Sequence, residues 1–298
     1  MSREDDSKAP MLRLGNMVKG THSPLHDVRL PGPRVAGLKT GFRRFDKLTS
    51  GLQEGDLIIV AARPSMGKTA WALNVAEYAT LRLAKPQPVG IFSLEMTKEA
   101  LFVRILCSEA RVDSHKFRSG FLSKKELNRI AIAVRRLANA PIFIDDNPWM
   151  SIDEIRSKAL SLQSQRDLVL VVIDCMQLMV APEREQPNVE ISEIGRGLKT
   201  LAKELRVPVI ALCQLGFPPE EQANWQRPQL SDLSPSSLEQ DADLVCFLHR
   251  EEYYLRIAGR EVPADLVGRA ELIVAKQRNG CTGTLPLTFT AACANFRG

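Results

Sequence analysis

The segment 62–69, ARPSMGKT, contains residue types that bind nucleotide phosphates. It matches the P-loop signature GxxxxGK(S/T) except at its first position, where alanine stands in place of glycine. Gly67 lets backbone N–H groups approach phosphate oxygens, the Lys68 ammonium can reach the outer phosphates, and the Thr69 hydroxyl can bind Mg²⁺. An extended strand end at position 62 accepts alanine easily, so we expect this departure to be harmless. The predicted nucleotide-binding residues are Ala62, Arg63, Pro64, Ser65, Met66, Gly67, Lys68 and Thr69, and the alternative is a chance glycine-rich turn.

Polar side chains end three apolar runs of the sequence. In an open parallel sheet, ligands bind beyond the carboxyl ends of the strands, where such side chains collect. Asp174 ends LVLVVID and fits the Walker B role of holding Mg²⁺, partly through water. Glu95 ends VGIFSLE and is the predicted general base for the attacking water, and Gln214 ends VIALCQ, where its amide can sense the γ-phosphate. The alternatives are helix capping for the carboxylates and a solvated strand end for Gln214.

Two further motifs indicate helix starts rather than catalysis. The pair Asp145–Asp146 ends the run PIFIDD, but NP follows directly, so we favour capping of the next helix for this pair. Ser151 and Glu154 match the spacing of a capping box, which predicts that a helix begins there.

A basic group, KQRNG at 276–280, follows a predicted strand near the carboxyl end. Such a cluster is usually a solvated hairpin. Phosphoryl transfer also needs positive charge on the departing phosphate, which a neighbouring subunit can supply as an arginine finger. Arg278 is the candidate finger, with Lys276 beside it.

The motifs require elements that position them, and the hydrophobic pattern from Gly37 onward is that of an α/β domain. Amphipathic stretches long enough for crossover helices separate the apolar runs, which predicts a mostly parallel sheet flanked by helices. The apolar runs are 57–62, 89–92, 142–144, 168–173, 207–212 and 245–248. Two later runs, 271–276 and 284–289, predict a carboxyl-terminal antiparallel extension. Residues 1–34 lack periodicity and are predicted to be a flexible leader, which leaves 35–298 as the folded α/β domain.

Composition places the chain among ordinary globular proteins. Hydrophobic residues make up 44% and charged residues 25% of the 298 residues, and the net charge of +5 is too small to indicate nucleic acid. The six cysteines are never closer than twelve positions apart, which excludes a CxxC zinc or redox site and favours small buried side chains. No apolar run approaches the roughly 20 residues of a membrane span. We therefore expect a cytoplasmic protein.

Together these stretches resemble the carboxyl-terminal motor domain of DnaB-family replicative helicases, a RecA-like P-loop ATPase. The resemblance runs from about residue 35 to 290 and implies that the phosphate loop and the strand ends keep the roles given above. It also implies that Lys276 and Arg278 reach the neighbour's ATP, and that Arg250 is a further phosphate-side contact. The resemblance further implies ATP and Mg²⁺ as cofactors and single-stranded DNA as a partner. It also implies assembly into a homo-oligomer, a hexameric ring. The matching stretches are TGFRRFDKLTSGLQEGDLIIVAARPSMGKT, FSLEM, VVIDCMQLM, LKTLAKELRVPVIALCQL, LEQDADLV and AKQRNG.

Three departures from the family pattern change the expectations. About 35 residues precede the motor, too few for the family's helical amino-terminal domain, so a loader or collar protein is a predicted partner. Cys213 replaces a serine before Gln214, and Gly216 and Phe217 replace an Asn-Arg pair after it. The family's DNA-facing Leu-Arg-Glu-Ser-Gly is here Leu233-Ser234-Pro235-Ser236-Ser237, which removes an arginine and a backbone N–H and predicts a weaker grip on DNA.

Three functions remain. The first is an ATP-dependent DNA helicase or translocase that acts in replication. The second is an ATPase of the same fold that works as a loader, regulator or partner-binding switch without processive unwinding. A small-molecule P-loop kinase is disfavoured because Glu95, Gln214 and the basic cluster suit hydrolysis in an oligomer better than transfer to a small acceptor.

Overall fold

The computed structural model describes residues 36–179, 187–216 and 227–298. The predicted leader, 1–34, and Phe217 lie outside the described residues. The domain boundary at residue 35 therefore stays a prediction.

Strands and helices alternate through most of the described chain. The strands are β1 (Leu57–Ala62), β2 (Val89–Ser93), β3 (Ile142–Asp145), β4 (Leu170–Asp174), β5 (Val209–Gln214), β6 (Leu244–His249), β7 (Arg269–Gln277), β8 (Gly283–Thr290) and β9 (Asn295–Arg297). The helices are α1 (Arg43–Thr49), α2 (Lys68–Leu81), α3 (Lys98–Ala110), α4 (Ser114–Ser119), α5 (Lys124–Leu137), α6 (Ile152–Arg166), α7 (Pro187–Leu205), α8 (Ser237–Asp241) and α9 (Glu251–Ile257). The predicted capping box of Ser151 and Glu154 is present at the start of α6.

All nine strands of the described residues form one sheet, in the order β3-β2-β4-β5-β1-β6-β7-β8-β9. The pairs from β3 to β6 are parallel, and the pairs from β6 to β9 are antiparallel. The predicted fold class, a mostly parallel sheet flanked by helices with an antiparallel extension, is confirmed. The carboxyl ends of β1, β2, β4 and β5 meet along one edge, which is where ligands bind in such sheets.

Two strands begin later than the sequence predicts. The runs predicted at 168–173 and 207–212 become strands only at residues 170 and 209. In the second run, Arg206 has a φ of 53° and the Val207 N–H donates to the carbonyl of Ala202. These two residues therefore form the carboxyl-terminal cap of α7, and the strand begins only after them. Asp167, with a φ of 48°, ends α6 in a similar left-handed conformation.

Apolar side chains pack on both faces of the sheet. On one face, the indole of Trp71 on α2 is fully buried and its ring stacks 5.6 Å from that of Phe42. On the other face, residues of α6 and α7 such as Ile155 and Leu198 are completely buried against Ile59. The helix that follows the phosphate loop is thus held between the sheet and α1, and this fixes its starting point.

All six cysteines are free thiols, and all except Cys281 are buried. Burial raises the pKa of Cys213 to about 12, which keeps this thiol protonated at neutral pH. The prediction of small buried side chains is confirmed for Cys175, Cys213 and Cys246. Among the helices of the described residues, none combines the length and apolar character needed to cross a membrane.

Candidate nucleotide-binding site

The loop between β1 and α2 has the backbone shape of a phosphate-binding loop. Ala62 lies in β1, opposite Gln214 of β5, so the expectation of an extended strand end at this position is confirmed. The chain then turns through positive φ at Ser65 (64°) and Gly67 (101°). The N-cap residue of α2 is Gly67, which has no side chain to cap the helix. The first N–H groups of this helix therefore remain available for an anion.

A cavity of about 450 Å³ opens above this loop. Its size is that of a small-molecule binding site. The structure brings eight of the sequence-predicted site residues together at its wall, namely Pro64, Ser65, Gly67, Lys68, Thr69, Glu95, Gln214 and Arg250. The other wall residues include Arg104, Cys107, Arg118, Phe289 and Cys293.

The carboxylate of Asp174 lies beside the phosphate loop. The Thr69 hydroxyl donates a 2.7 Å hydrogen bond to Asp174 Oδ2, whereas Asp174 Oδ1 is buried without a hydrogen-bond partner in the described residues. Burial raises the pKa of Asp174, and the bond from Thr69 opposes that shift. An unpartnered carboxylate oxygen next to a threonine hydroxyl fits Mg²⁺, which prefers oxygen ligands and keeps several of its waters. These two residues therefore suit the predicted metal site.

Glu95 follows β2, which pairs with β4 so that Ser93 lies opposite Asp174. The Ser93 hydroxyl donates to the carbonyl of Met96 at 2.7 Å and accepts from its N–H at 3.2 Å, which fixes the turn that carries Glu95. Ligand atoms of Glu95, Asp174 and Cys175 all lie within 4.8 Å of one another. The Glu95 side chain is exposed to the cavity, where a water molecule can reach it.

Arg250 is a buried cation at the cavity wall. Its Nη1 donates to the carbonyl of Ser65 at 3.3 Å, and its Cζ lies 4.2 Å from the centre of the Phe289 ring. Only 7% of the residue is exposed, no carboxylate lies within 4.0 Å of it in the described residues, and burial lowers its pKa. A buried charge without an ionic partner is unfavourable, so this guanidinium favours an anion in the cavity.

Lys68 and Gln214 have their own local contacts. Lys68 Nζ donates to the carbonyl of Ala62 at 3.3 Å and therefore lies over the loop that precedes it. The backbone carbonyl of Gln214 accepts from Gln177 Nε2 at 3.0 Å, while the Gln214 side chain is exposed at the cavity. Cys213 also accepts from Gln177, at 2.8 Å, so the unusual cysteine belongs to the bonding that fixes this strand end.

Two cations and an aromatic ring at the cavity were not predicted from the sequence. Arg104 lies on α3, and its charge opposes the rise that burial causes in the pKa of Asp174. Arg118 lies on α4, and Phe289 lies on β8. No sequence motif marks these three residues. The signal that the sequence offered was for Arg104 alone, because α3 begins shortly after Glu95 along the chain.

The acidic pair Asp145–Asp146 has a structural role, as predicted, but the capped helix is a different one. Asp146 Oδ2 accepts at 3.0 Å from the N–H of Lys98, the first residue of α3. Asp145 pairs with Lys158 at 2.7 Å. The prediction that the pair caps the next helix is wrong, because the capping box at the start of α6 already provides that cap.

Lys276 and Arg278 lie at the opposite end of the sheet from the phosphate loop. Lys276 pairs with Val245, near the start of β6, and Arg278 comes directly after Gln277, which pairs with Leu244. The phosphate loop instead lies at the carboxyl ends of the parallel strands. The six residues of β6 separate the two ends by about 20 Å. Within one subunit, neither cation can therefore reach the phosphate loop.

Comparisons with known proteins agree with this geometry. A family model described as DnaB-like helicase C terminal domain matches residues 37–298. The replicative DNA helicase DnaB of Geobacillus stearothermophilus is 43% identical over 258 residues, which are 86% of this chain and 55% of that protein. The replicative DNA helicase DnaC of Bacillus subtilis (strain 168) is also 43% identical, over 88% of this chain and 56% of its own length.

The fold is likewise similar to a solved structure, described as an ATPase domain. It matches with a TM-score of 0.82 and 33% identity, covering 92% of this chain and 95% of that one. The chain spans about half the length of the curated relatives it matches. Given the family match over 262 of the 298 residues, from 37 to 298, the chain belongs to the DnaB-like helicase C-terminal domain family.

Proposed function

We propose that this chain is the ATP-hydrolysing motor of a DnaB-type replicative helicase, which moves on single-stranded DNA in the cytoplasm. The observation that carries the proposal is the bonding of Thr69 to Asp174, with the second oxygen of Asp174 unpartnered in the described residues and Glu95 beside it. Relatives named replicative DNA helicases support the same function. A phosphate loop alone would not distinguish hydrolysis from transfer, whereas a carboxylate facing the metal-binding pair suits attack by water.

The site residues divide the hydrolysis reaction among them. N–H groups at the start of α2 and the ammonium of Lys68 hold the phosphates of ATP. Thr69 and, through water, Asp174 would hold Mg²⁺, which would supply positive charge to the phosphates when bound. Glu95 orients a water molecule and accepts its proton while the water oxygen bonds to the γ-phosphorus and the bond to the β-phosphate oxygen breaks. Gln214 senses whether the γ-phosphate is present.

Oligomerisation completes the site. Because Lys276 and Arg278 lie about 20 Å from the loop of their own chain, they act on the ATP of a neighbouring subunit in a hexameric ring. Such cations stabilise the charge that develops on the transferred phosphoryl group. A loader or collar protein is a further partner of this ring.

A second candidate function is a partner-binding ATPase switch without processive unwinding. The segment 233–237 favours it because the segment offers no cationic side chain to a DNA phosphate. Ser234 and Ser236 are exposed there, and Pro235 lacks a backbone N–H. Weak DNA binding with a shallow dependence on salt would agree with this candidate.

The decisive experiment measures ATP hydrolysis with and without oligo(dT), followed by unwinding of a forked duplex. We expect DNA to stimulate hydrolysis. Unwinding of the fork would indicate the helicase, whereas hydrolysis without unwinding would indicate the partner-binding switch. Glu95→Gln should retain nucleotide binding and lose at least about 100-fold in turnover, because general base catalysis contributes about 10² to 10⁴. Glu99→Gln, an exposed carboxylate four residues further on, is the matched control. Equal turnover in the Glu95 variant and the unchanged chain would remove Glu95 from the mechanism.

A further inference from the structure

The short helix α8 ends in carbonyl groups that bind two cations, Lys276 near the end of β7 and Arg278 just after it. Lys276 Nζ donates to the carbonyl of Ala242 at 2.9 Å and also to that of Glu239. Arg278 Nη2 donates to the carbonyl of Gln240 at 3.0 Å. The last carbonyls of a helix lack intrahelical partners and carry partial negative charge, so cations bind there favourably.

Asp243 holds Arg278 from the other side. Its Oδ1 accepts from Arg278 Nη1 at 2.9 Å, and its carbonyl accepts from the Arg278 N–H at 2.8 Å. Its Oδ2 accepts from the N–H of Leu57 at 2.9 Å and from Lys199. Only 6% of the residue is exposed. Arg278 is therefore held to the start of β1 through one buried carboxylate.

The amino-terminal side of α8 is the segment that would contact DNA under the proposed function. Leu233 and Leu238 are buried at its two ends, and Ser234 and Ser236 between them are exposed. The N–H of Glu239 donates to the carbonyl of Ser236 at 3.2 Å. Only three positions thus separate an exposed residue of this segment from a carbonyl that binds Lys276.

We propose that Asp243 and the carbonyl end of α8 are the positioning device for Lys276 and Arg278, and that this device links strand binding at 233–236 to hydrolysis in the neighbouring subunit. The inference rests on the proposed function, in which both cations act on a neighbour's ATP. A strand that pulls on the segment moves α8, and the cations bonded to its carbonyls move with it. Displacement of a catalytic group by about 1 Å can change a rate by about 100-fold.

Asp243→Asn tests the positioning role at constant side-chain size. Both carboxylate oxygens of Asp243 accept hydrogen bonds, one from Arg278 and one from the N–H of Leu57 in β1. In either orientation of the asparagine, its amide nitrogen faces one of these donors, so one of the two bonds is lost. We expect kcat with saturating oligo(dT) to fall about 10- to 100-fold, the KM for ATP to stay within about threefold, and stimulation by DNA to approach one. Asp56→Asn, in the same charge cluster as Lys199 and Arg278, is the matched control.

Mixing subunits separates positioning from a folding defect. Asp243→Asn subunits have an intact phosphate loop and misplaced cations. Lys68→Ala subunits have a defective phosphate loop and correctly placed cations. When the two are mixed under conditions of subunit exchange, we expect activity to return, because the Lys68→Ala cations serve the intact loop of their neighbour. If Asp243→Asn does not fold, Asp243→Glu keeps the charge, shifts the carboxylate by one methylene and gives the same test.

The outcomes distinguish this inference from the proposed function. If Arg278→Ala retains full activity, the action of the cations between subunits fails. If Arg278→Ala loses activity and is restored by mixing, but Asp243→Asn keeps normal kcat and normal DNA stimulation, only the positioning role is overturned. A raised KM for ATP in Asp243→Asn without restoration on mixing would also overturn it, because that result indicates a defect in the variant's own nucleotide site.

Discussion

Arg250 is a buried cation at the wall of the cavity, and its proposed partner is the bound nucleotide. Its guanidinium stacks on Phe289 and donates to the carbonyl of Ser65, and lysine cannot do both with a single ammonium. We predict that Arg250→Lys weakens ATP binding about 10-fold or more, as expected for the loss of a charge-assisted hydrogen bond. Titration with a fluorescent ATP analogue measures this affinity. Arg256→Lys, at an exposed arginine that pairs with Glu252, is the control, and equal affinities in the two variants would contradict the assignment.

Residues that follow a strand were predictable at this scale, and residues that approach from elsewhere were not. Lys68 and Asp174 could be assigned because a parallel sheet collects the residues that follow its strands at one edge. Arg104 and Phe289 reach the same cavity from a helix face and from an antiparallel strand. Their positions depend on packing angles that no local spacing encodes. Asp243 was visible only as part of a matching stretch, and its contacts with Lys199 and Leu57 join distant segments.

A buried acidic pair links α2 to α3 and, through Ser108, to β9. Burial and a hydrogen bond with Glu109 raise the pKa of Glu77 to about 8. The folded chain therefore keeps a proton that the unfolded chain loses above its ordinary value of 4.5. Since the folded state binds more protons between these values, the free energy of unfolding falls as pH rises, by up to about 1.4 kcal/mol per pH unit.

Glu77→Gln should remove this slope between about pH 5 and pH 8. The glutamine amide can donate to Glu109, as the protonated carboxyl does, and its oxygen can still accept from Ser108. Urea unfolding at several pH values measures the slope. Glu54→Gln, at an exposed position, should keep the slope of the unchanged chain. An unaltered slope in the Glu77 variant would show that other groups carry the pH dependence.

At the scale of elements, the sequence predicted eight of the nine strands in the described residues, and it missed β9. Strands 4 to 9 residues long are recognisable as apolar runs, but β9 is only three residues, Asn295–Arg297. Its place depends on remote contacts: the Phe296 N–H donates to Asn74 at 2.8 Å. The Phe296 ring also lies where a side chain on Gly67 would be, at 3.0 Å. This contact gives a second reason for glycine at 67, beside its positive φ.

At the scale of the whole molecule, the proposed function predicts that each nucleotide site needs two chains. The phosphate loop and Arg278 occupy opposite ends of the sheet, about 20 Å apart, so under this proposal a single subunit cannot complete the site. We predict that Lys68→Ala and Arg278→Ala proteins are each inactive, and that mixing them under subunit exchange restores part of the ATP hydrolysis. A steady-state assay of released phosphate measures the recovery. No recovery, or full activity in a strictly monomeric protein, would refute action between subunits.

The two buried leucines at 233 and 238 also bear on how this chain can diverge from its relatives. Both ends of the segment are anchored in the core, while the side chains of Ser234 and Ser236 between them are exposed. Substitutions at 234 and 236 are therefore nearly neutral for folding, and selection on them acts through the affinity for a ligand alone. Under the proposed function, a lineage can lose a phosphate-binding side chain here, or regain one, in single mutational steps that leave the core of the domain unchanged.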